Sequence, residues 1–218
     1  MYGSLVRLLR GEAEAARRDT AAAIAVATES GMPQWRGMAQ SFGGSALAAL
    51  GPAEEGLAEI QLGHAAYRAT GAQSGRTLIL TLLADVHLRR GTWEEGLSVV
   101  DEARTIIANT GERLCEAELH RLRGEILLAR SPDEPAAAES CFHEAIKIAR
   151  GQRARSWELR AATSLARLWQ SQGLREQARS MLGPVLAWFT EGRDTQDLRE
   201  AQALLDALNV DGGLRRAI

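Results

Sequence analysis

Apolar residues recur at helical spacing along nearly the whole chain, and glycines interrupt the pattern at regular intervals. In residues 112–151, ERLCEAELHRLRGEILLARSPDEPAAAESCFHEAIKIARG, two amphipathic patterns flank the turn sequence Ser-Pro-Asp. Two series of glycines share a spacing of 40 residues: Gly31, Gly71, Gly111 and Gly151, and Gly11, Gly51 and Gly91. Because a glycine directly after a helical pattern is typical of a helix C-terminus, this spacing predicts repeated helical hairpins.

The periodicity predicts helices over residues 2–10, 12–30, 34–50, 53–70, 74–90, 92–110, 112–129, 134–150, 154–172, 174–189 and 195–208. Ser74 and Thr92 are predicted N-caps, because a side-chain oxygen there can accept from the first turn of a helix. Pro184 is predicted to kink the tenth helix or to end it early. The tail, 209–218, contains Gly212-Gly213 and is predicted to fray.

These elements predict a single repeat domain over residues 1–208. Its repeats would span about 1–31, 32–71, 72–111, 112–151 and 152–190, with a capping helix at 194–208. Small residues lie at a fixed depth on the first helices (Gly44, Ala84, Gly124 and Ala166) and on the second helices (Ala16, Gly56, Gly96, Ala138 and Ala178). We expect them to let the two backbones of each hairpin approach closely.

Two segments resemble the tetratricopeptide (TPR) repeat. Trp93-Glu94-Glu95-Gly96-Leu97 and Ala53-Glu54-Glu55-Gly56-Leu57 are similar to the opening of its second helix. The period is longer than the usual ~34 residues of a TPR, as in the longer TPR-like arrays of large bacterial regulators. The resemblance implies an all-α fold, a TPR-like right-handed α-solenoid of five helical hairpins plus a C-terminal capping helix.

The second half has a narrower resemblance, carried by GERLCEAELHRLRGEILL, CFHEAIKIAR, RARSWELRAATSLARLWQSQG and WFTEGRDTQDLREAQALLDAL. It is similar to the C-terminal region of bacterial proteins that join an adenylate/guanylate cyclase domain, or a winged-helix domain, to a P-loop (STAND-type) ATPase and a TPR-like tail. The similarity covers roughly residues 31–208. It implies a signalling tail. The cyclase and ATPase parts are absent and Met1 falls inside what should be a first helix, so we expect a truncated, split or trimmed gene product.

Composition and charge narrow the range of functions. The net charge of −2 argues against a nucleic-acid-binding domain, which usually carries a basic excess. No apolar run is long enough to span a membrane, and the first ten residues lack the apolar core of a signal peptide, so we expect a cytoplasmic protein. Cys115 and Cys141 are the only cysteines, and they form neither a zinc pattern nor a disulfide framework.

The sequence offers no recognisable catalytic equipment. Lys147, the single lysine, lies within a predicted helix without a glycine loop before it, which excludes a Walker A motif. The histidines fall on separate predicted helices and form no HExxH pair: His64, His87, His120 and His143. Glu116 with His120 and Glu139 with His143 are spaced as ordinary surface pairs. We therefore predict no enzyme, no catalytic residue, no cofactor and no metal site.

A basic stretch surrounds Trp157 and allows two interpretations. Its arginines are Arg150, Arg153, Arg155 and Arg160. They could contact nucleic acid or a nucleotide beside the aromatic ring. The preferred interpretation is a helix C-terminus whose dipole these cations complement, because glutamates nearby dilute the positive field.

The remaining candidate surface is the face that the first helices leave free after hairpin packing. It consists of Met38, Ser41, Ser45, Leu78, Thr81, Asp85, Glu118, Arg121, Glu125, Arg160, Thr163 and Arg167. We expect this groove to hold a peptide or helix of a protein partner, such as a cyclase or ATPase domain, although a solvated scaffold face is the alternative. An uncapped N-terminal end would favour a homodimer. Two further alternatives are adenylate cyclase activity inherited from the family and an inducer-sensing tail of a transcriptional regulator.

Overall fold

The computed structural model describes residues 2–210 of the 218-residue chain. Within that range the chain forms helices and no strand. The elements are α1 (Tyr2–Leu9), α2 (Ala13–Glu29), α3 (Pro33–Ala49), α4 (Ala53–Ala69), α5 (Arg76–Arg90), α6 (Trp93–Thr110), α7 (Glu116–Arg130), α8 (Pro135–Gln152), α9 (Arg155–Ser171), α10 (Arg175–Ala187) and α11 (Gln196–Val210). The predicted order of five hairpins followed by one further helix is confirmed.

Two compact units make up the chain: an N-terminal unit, Met1–Cys115, and a C-terminal unit, Glu116–Ile218. The N-terminal unit contains the hairpins α1/α2, α3/α4 and α5/α6, and the C-terminal unit contains α7/α8, α9/α10 and α11. The prediction of one continuous repeat domain over residues 1–208 concerns how the two units combine, and it stays a prediction.

In the N-terminal unit, α3 is the central helix and packs against α1, α2, α4 and α5. It approaches α4 backbone to backbone, because glycines on the two helices face each other. A Cβ atom placed on Gly44 would lie 2.6 Å from the carbonyl oxygen of Gly56, and one placed on Gly63 would lie 2.6 Å from that of Gly37. Gly44 and Gly56 thus act as the small contact residues that the sequence predicts.

In the C-terminal unit, α9 is the central helix and packs against α7, α8, α10 and α11. Its core is built from fully buried apolar side chains, chiefly Phe142, Leu165 and Leu182. The last helix, α11, adds Leu198, Ala201, Leu204 and Leu208 to the same core. α11 is therefore an integral layer of this unit.

Most of the evenly spaced glycines end helices as predicted. Their backbone φ angles are positive at Gly11, Gly31, Gly51, Gly71, Gly91 and Gly111. At Gly151 the prediction was wrong, because α8 continues through this residue to Gln152. The left-handed position is instead Arg153, with φ of 56°, and the amide of Ala154 closes the helix by donating to the carbonyl oxygen of Ala149 (2.9 Å). A non-glycine residue in this conformation costs about 1–2 kcal/mol.

Other predicted boundaries also need correction. Ser74 is not an N-cap, since α5 starts after Gly75, whose φ is 87°. Thr92 precedes α6, but its hydroxyl contacts Nδ1 of His87 (2.7 Å) and caps no α6 amide. Pro184 lies inside α10, which ends at Ala187. α11 extends to Val210, and residues 211–218 of the predicted frayed tail lie outside the described residues.

Glu112 performs a role that the sequence does not reveal. It was predicted to start the seventh helix, yet α7 begins at Glu116. The Glu112 carboxylate instead accepts hydrogen bonds at the N-terminus of α5, from the amides of Gly75 (2.8 Å) and Thr77 (3.2 Å) and from the Thr77 hydroxyl. An anion at a helix N-terminus satisfies free amides and complements the helix dipole. Glu112 therefore caps α5 from a loop outside that helix.

Replacement of Glu112 by alanine is expected to lower the free energy of unfolding by about 1–2 kcal/mol, the usual cost of losing a helix cap. Urea denaturation followed by circular dichroism measures this change. Glu134 is a matched control, because it also precedes a helix but makes no side-chain cap hydrogen bond to α8. An equal loss in both variants would show that the contact with α5 contributes nothing specific.

Candidate functional site

The predicted groove residues divide between the two units. The α3–α5 face lies in the N-terminal unit and comprises Met38, Ser41, Ser45, Leu78, Thr81 and Asp85. The α7–α9 face lies in the C-terminal unit and comprises Glu118, Arg121, Glu125, Arg160, Thr163 and Arg167. The two faces differ sharply in charge and hydrogen bonding, so each is described separately.

The α3–α5 face is uncharged over most of its area and largely buried. All of its residues except Asp85 are buried within the chain. The Ser41 hydroxyl donates to the carbonyl oxygen of Gly37 (3.0 Å), and the Thr81 hydroxyl donates to that of Thr77 (2.7 Å). Asp85 accepts from Nε of Arg89 (2.8 Å). These polar groups form their hydrogen bonds within their own helices. This face would therefore contact a partner mainly by van der Waals packing and less by hydrogen bonds.

The α7–α9 face is organised around Glu118, whose side chain is only 5% exposed. Arg121 donates two hydrogen bonds to the carboxylate, from Nε at 2.9 Å and from Nη2 at 2.8 Å. Nη1 of Arg160 donates to the same carboxylate (3.2 Å). Two charged hydrogen bonds from one guanidinium fix both the position and the plane of the carboxylate. Glu118 thereby joins α7 to α9.

Further ion pairs extend this arrangement. Arg160 donates through Nε to Asp197 on α11 (2.7 Å), and Arg167 donates through Nη2 to Glu200 (2.6 Å). Glu125 accepts from Nη1 of Arg121 (3.3 Å) and from the Ser164 hydroxyl (2.5 Å). We call the whole set the ionic network: Glu118, Arg121, Glu125, Arg160, Ser164, Arg167, Asp197 and Glu200. It connects α7, α9 and α11.

Asp197 and Glu200 were missed because the last helix was interpreted only as a cap. A signal existed in the repeat period: contacting network residues lie almost one repeat apart, such as Glu125 with Ser164 and Arg160 with Asp197. Adding the same offset of almost one repeat to the α9 positions would have placed residues of α11 on this face. The sequence did place Glu118, Arg121, Glu125, Arg160 and Arg167 together.

Burial and charge act in opposite directions on the network carboxylates. Burial alone would raise the pKa of Glu118, but Arg121 and Arg160 outweigh it, so its pKa lies below the usual range. Burial of Asp197 dominates over Arg160, and its pKa is raised. Glu118 is therefore a fixed negative charge between two cations, which is suited to holding side chains in place and not to transferring protons.

The four histidines lie on four different helices. His64 and His87 are buried in the N-terminal unit, whereas His143 is exposed and His120 is half-buried. Nε2 of His143 lies 3.8 Å from Oε1 of Glu139, which also accepts from Nε1 of Trp169 (2.7 Å). Among residues 2–210 no three His, Cys, Asp or Glu side chains are grouped as a metal site. Cys115 is buried and Cys141 is half-buried.

Acidification is expected to destabilise the N-terminal unit through its buried histidines. Burial lowers the pKa of His64 and of His87 below their ordinary value of 6.5. The unfolded chain then binds more protons than the folded chain, so stability is lost as the pH falls below about 6.5 toward the folded pKa. His64→Gln should flatten the dependence of the unfolding free energy on pH between about 7 and 5.

Urea titrations at several pH values measure this slope. His143→Gln is the control, since the His143 side chain is 54% exposed. An unchanged slope in His64→Gln, or an equal flattening in His143→Gln, would contradict the prediction.

The basic stretch near Trp157 is organised by a buried carboxylate. Glu158 accepts from Nε of Arg150 (2.7 Å) and from Nη1 of Arg155 (2.6 Å). The Arg160 guanidinium lies 5.2 Å from the centre of the Trp157 ring. These contacts leave Arg153 outside the ion pairs around Glu158. Neither the dipole interpretation nor the nucleotide interpretation is tested by them, and both stay predictions.

Comparison with known proteins bears on the fold. No protein-family model and no curated protein matches the chain. Crystal structures of a kinesin light chain-like protein of Podosopora anserina, built of nearly identical TPR-like repeats, do match. The structure of a variant of that protein has a TM-score of 0.56 and 18% identity, covering 86% of this chain and 95% of that chain. A second structure of these repeats has a TM-score of 0.55 and 18% identity, covering 84% and 90%.

The chain has a TPR-like α-solenoid fold. This confirms the fold that the resemblance at Trp93-Glu94-Glu95-Gly96-Leu97 implied. At 18% identity the likeness establishes the fold alone. The narrower resemblance to tails of cyclase and ATPase proteins stays a prediction. No helix within residues 2–210 is both long and apolar enough to cross a membrane.

Proposed function

We propose that the chain is a non-catalytic interaction module that binds a peptide or helix of a protein partner on its first-helix faces. The supporting observation is the ionic network, which holds charged side chains of α7, α9 and α11 in fixed positions. Arg167 and Glu200 remain 47% and 41% exposed at its outer edge. Charges that are already oriented align a partner and reject wrong partners without a large loss of side-chain entropy.

The chemistry of the two faces favours contact over reaction. On the α7–α9 face, Glu118 is held by two guanidinium groups and its lowered pKa keeps it ionised, so it is a poor general acid or base at neutral pH. On the α3–α5 face, the Ser41 and Thr81 hydroxyls donate to carbonyl oxygens one turn earlier. An oxygen held in this way is not activated as a nucleophile, which needs an adjacent base.

Site-specific photo-crosslinking tests the proposal. A benzophenone amino acid replaces Arg167 on the α7–α9 face, or the exposed Lys147 on α8 as a control, and the chain is irradiated in extract of its own source cells. We expect a discrete protein adduct from position 167 and none from 147. The purified partner should then bind Arg167→Glu at least about tenfold more weakly than the unaltered chain. Equal capture at both positions would contradict a role for this face.

A narrower proposal follows from the sequence resemblance: the partner is a cyclase or P-loop ATPase domain of a cytoplasmic signalling protein, and the chain itself makes no cyclic nucleotide. Incubation of the purified chain with ATP and Mg²⁺ or Mn²⁺ should give no cyclic product. Measurable turnover would overturn the non-catalytic assignment and support the cyclase alternative.

Self-association is the second partner proposal. Tyr2 and Val6 are exposed one turn apart on α1, and the Tyr2 ring packs edge-on against Trp35 with centroids 6.4 Å apart. An exposed apolar patch of this kind is typical of a contact surface. Sedimentation equilibrium should show a dimer that Val6→Glu dissociates. A monomer at high concentration would remove this proposal without affecting the first.

A further inference from the structure

One corner of the C-terminal unit combines cations with an exposed aromatic ring. We call it the basic–aromatic corner: Arg150 at the end of α8, Arg153 in the following turn, Arg155 at the start of α9, and Trp188 after α10. The Arg155 guanidinium lies 5.3 Å from the centre of the Trp188 ring. The corner does not contain any residue of the ionic network.

Arg153 is unusual in its backbone. Among the described residues it alone has a positive φ without being glycine. Its side chain is exposed and makes no hydrogen bond or ion pair with any described residue. Glycine would adopt this conformation without strain, as it does in the other turns. The turn therefore does not require an arginine at position 153, and no contact with the described residues requires one. Backbone strain of this kind often marks functional positions.

The neighbouring charges leave the corner positive. Glu158, 3% exposed, is shared by Arg150 and Arg155, whose side chains are 56% and 43% exposed. One carboxylate thus faces two paired guanidinium groups, and Arg153 is a third. Glu158 also holds Arg150 and Arg155 in fixed orientations, which lowers the entropy that a partner must remove on binding.

Trp188 supplies the apolar part of the corner. Its side chain is 56% exposed, although indole rings are usually well buried. Phe189 supports it edge-on with ring centroids 5.1 Å apart, and Arg155 lies over the ring. A rigid, exposed indole next to arginines is the composition that dominates the energetics of protein–protein interfaces.

We propose that the basic–aromatic corner docks an acidic protein segment that carries an apolar side chain. Carboxylates of the segment pair with Arg153 and with the exposed donors of Arg150 and Arg155, and its apolar side chain packs on the Trp188 indole. A nucleic-acid strand fits less well, since Glu158 neutralises part of the positive charge of the arginines and the whole chain has a net charge of −2. This proposal extends the interaction role proposed above to a second surface.

The test uses the full chain and a fluorescein-labelled peptide, Glu-Glu-Phe-Leu-Glu-Glu, titrated by fluorescence anisotropy at low salt. We expect saturable binding that weakens by at least about fivefold in Arg153→Gly, in Arg153→Ala and in Trp188→Ala. Arg153→Gly should also raise the melting temperature by about 2–4 °C, because glycine relieves the strained φ. If Arg153→Gly binds the peptide more weakly although it is more stable, the loss of binding cannot come from damage to the fold.

Several outcomes would overturn the proposal. They are the absence of peptide binding, retention of full affinity in Arg153→Gly, and equal binding of a Lys-Lys-Phe-Leu-Lys-Lys peptide. Tighter binding of an oligothymidine would make the corner a nucleic-acid surface instead. Arg167→Glu on the α7–α9 face should leave peptide binding unchanged. The failure of either proposal is therefore visible independently of the other.

Discussion

Replacement of Glu118 by alanine is expected to lower the free energy of unfolding by about 3 kcal/mol. The Glu118 carboxylate is almost completely buried and receives donors from Arg121 and Arg160. Its removal leaves two guanidinium groups in a poorly solvated position with one partner fewer. Arg121 retains Glu125, and Arg160 retains Asp197, so the loss stays at the lower end of the range for buried pairs. Urea denaturation followed by circular dichroism measures it.

An exposed pair is the matched control for Glu118. Glu144 and Lys147 on α8 pair at 3.1 Å, and their side chains are 41% and 77% exposed. Glu144→Ala should cost no more than about 0.5 kcal/mol. A double-mutant cycle of Glu118 and Arg160 should give a coupling energy of about 1–3 kcal/mol. Similar small losses at Glu118 and Glu144 would mean that the ionic network contributes nothing to stability.

The pH dependence of the Glu118 variant gives a second measurement of the same effect. Because the folded pKa of Glu118 lies below its ordinary value of 4.5, the unfolded chain takes up the proton first. The stability that Glu118 supplies is therefore present above about pH 4.5 and is lost as the pH falls toward the folded pKa. Glu118→Ala should lack this part of the acid-induced loss.

The hairpin order was predictable because its signals are local. Glycine at Gly31 or Gly111 follows a helical pattern directly, and its backbone reaches positive φ without strain. Gly151 carries the same signal, yet α8 passes through it. The ion pair from Arg150 to the buried Glu158 joins α8 to the first turn of α9 across the turn at Arg153. A local sequence pattern does not reveal tertiary contacts such as this one.

The candidate site was predictable only in part, for a similar reason. Helical spacing brings Glu118, Arg121 and Glu125 to one face of α7, and the repeat period adds Arg160 and Arg167. Spacing does not reveal how deeply a position is buried, so Ser41 and Thr81 were expected in an open groove and are covered in the chain. It also does not pair distant loops, which is why the role of Glu112 was missed.

Replacement of Gly44 by alanine is expected to lower the free energy of unfolding by about 2–3 kcal/mol, although alanine favours helix formation. The added Cβ would lie 2.6 Å from the carbonyl oxygen of Gly56 and 2.7 Å from the amide nitrogen of Ile60. Both atoms belong to the backbone of α4, so no side chain can turn away to make room. The two helices must separate, which exposes Ile60 and weakens the packing along α3. Thermal and urea denaturation measure the loss.

Gly151 provides the control, since it also lies within a helix but has no atom within 4 Å of the position of an added Cβ. Gly151→Ala should leave stability unchanged or raise it by about 0.5 kcal/mol, because only the backbone propensity changes. The opposite signs of the two substitutions distinguish backbone contact from helix propensity. A neutral Gly44→Ala would mean that α3 and α4 are farther apart than the facing glycines require.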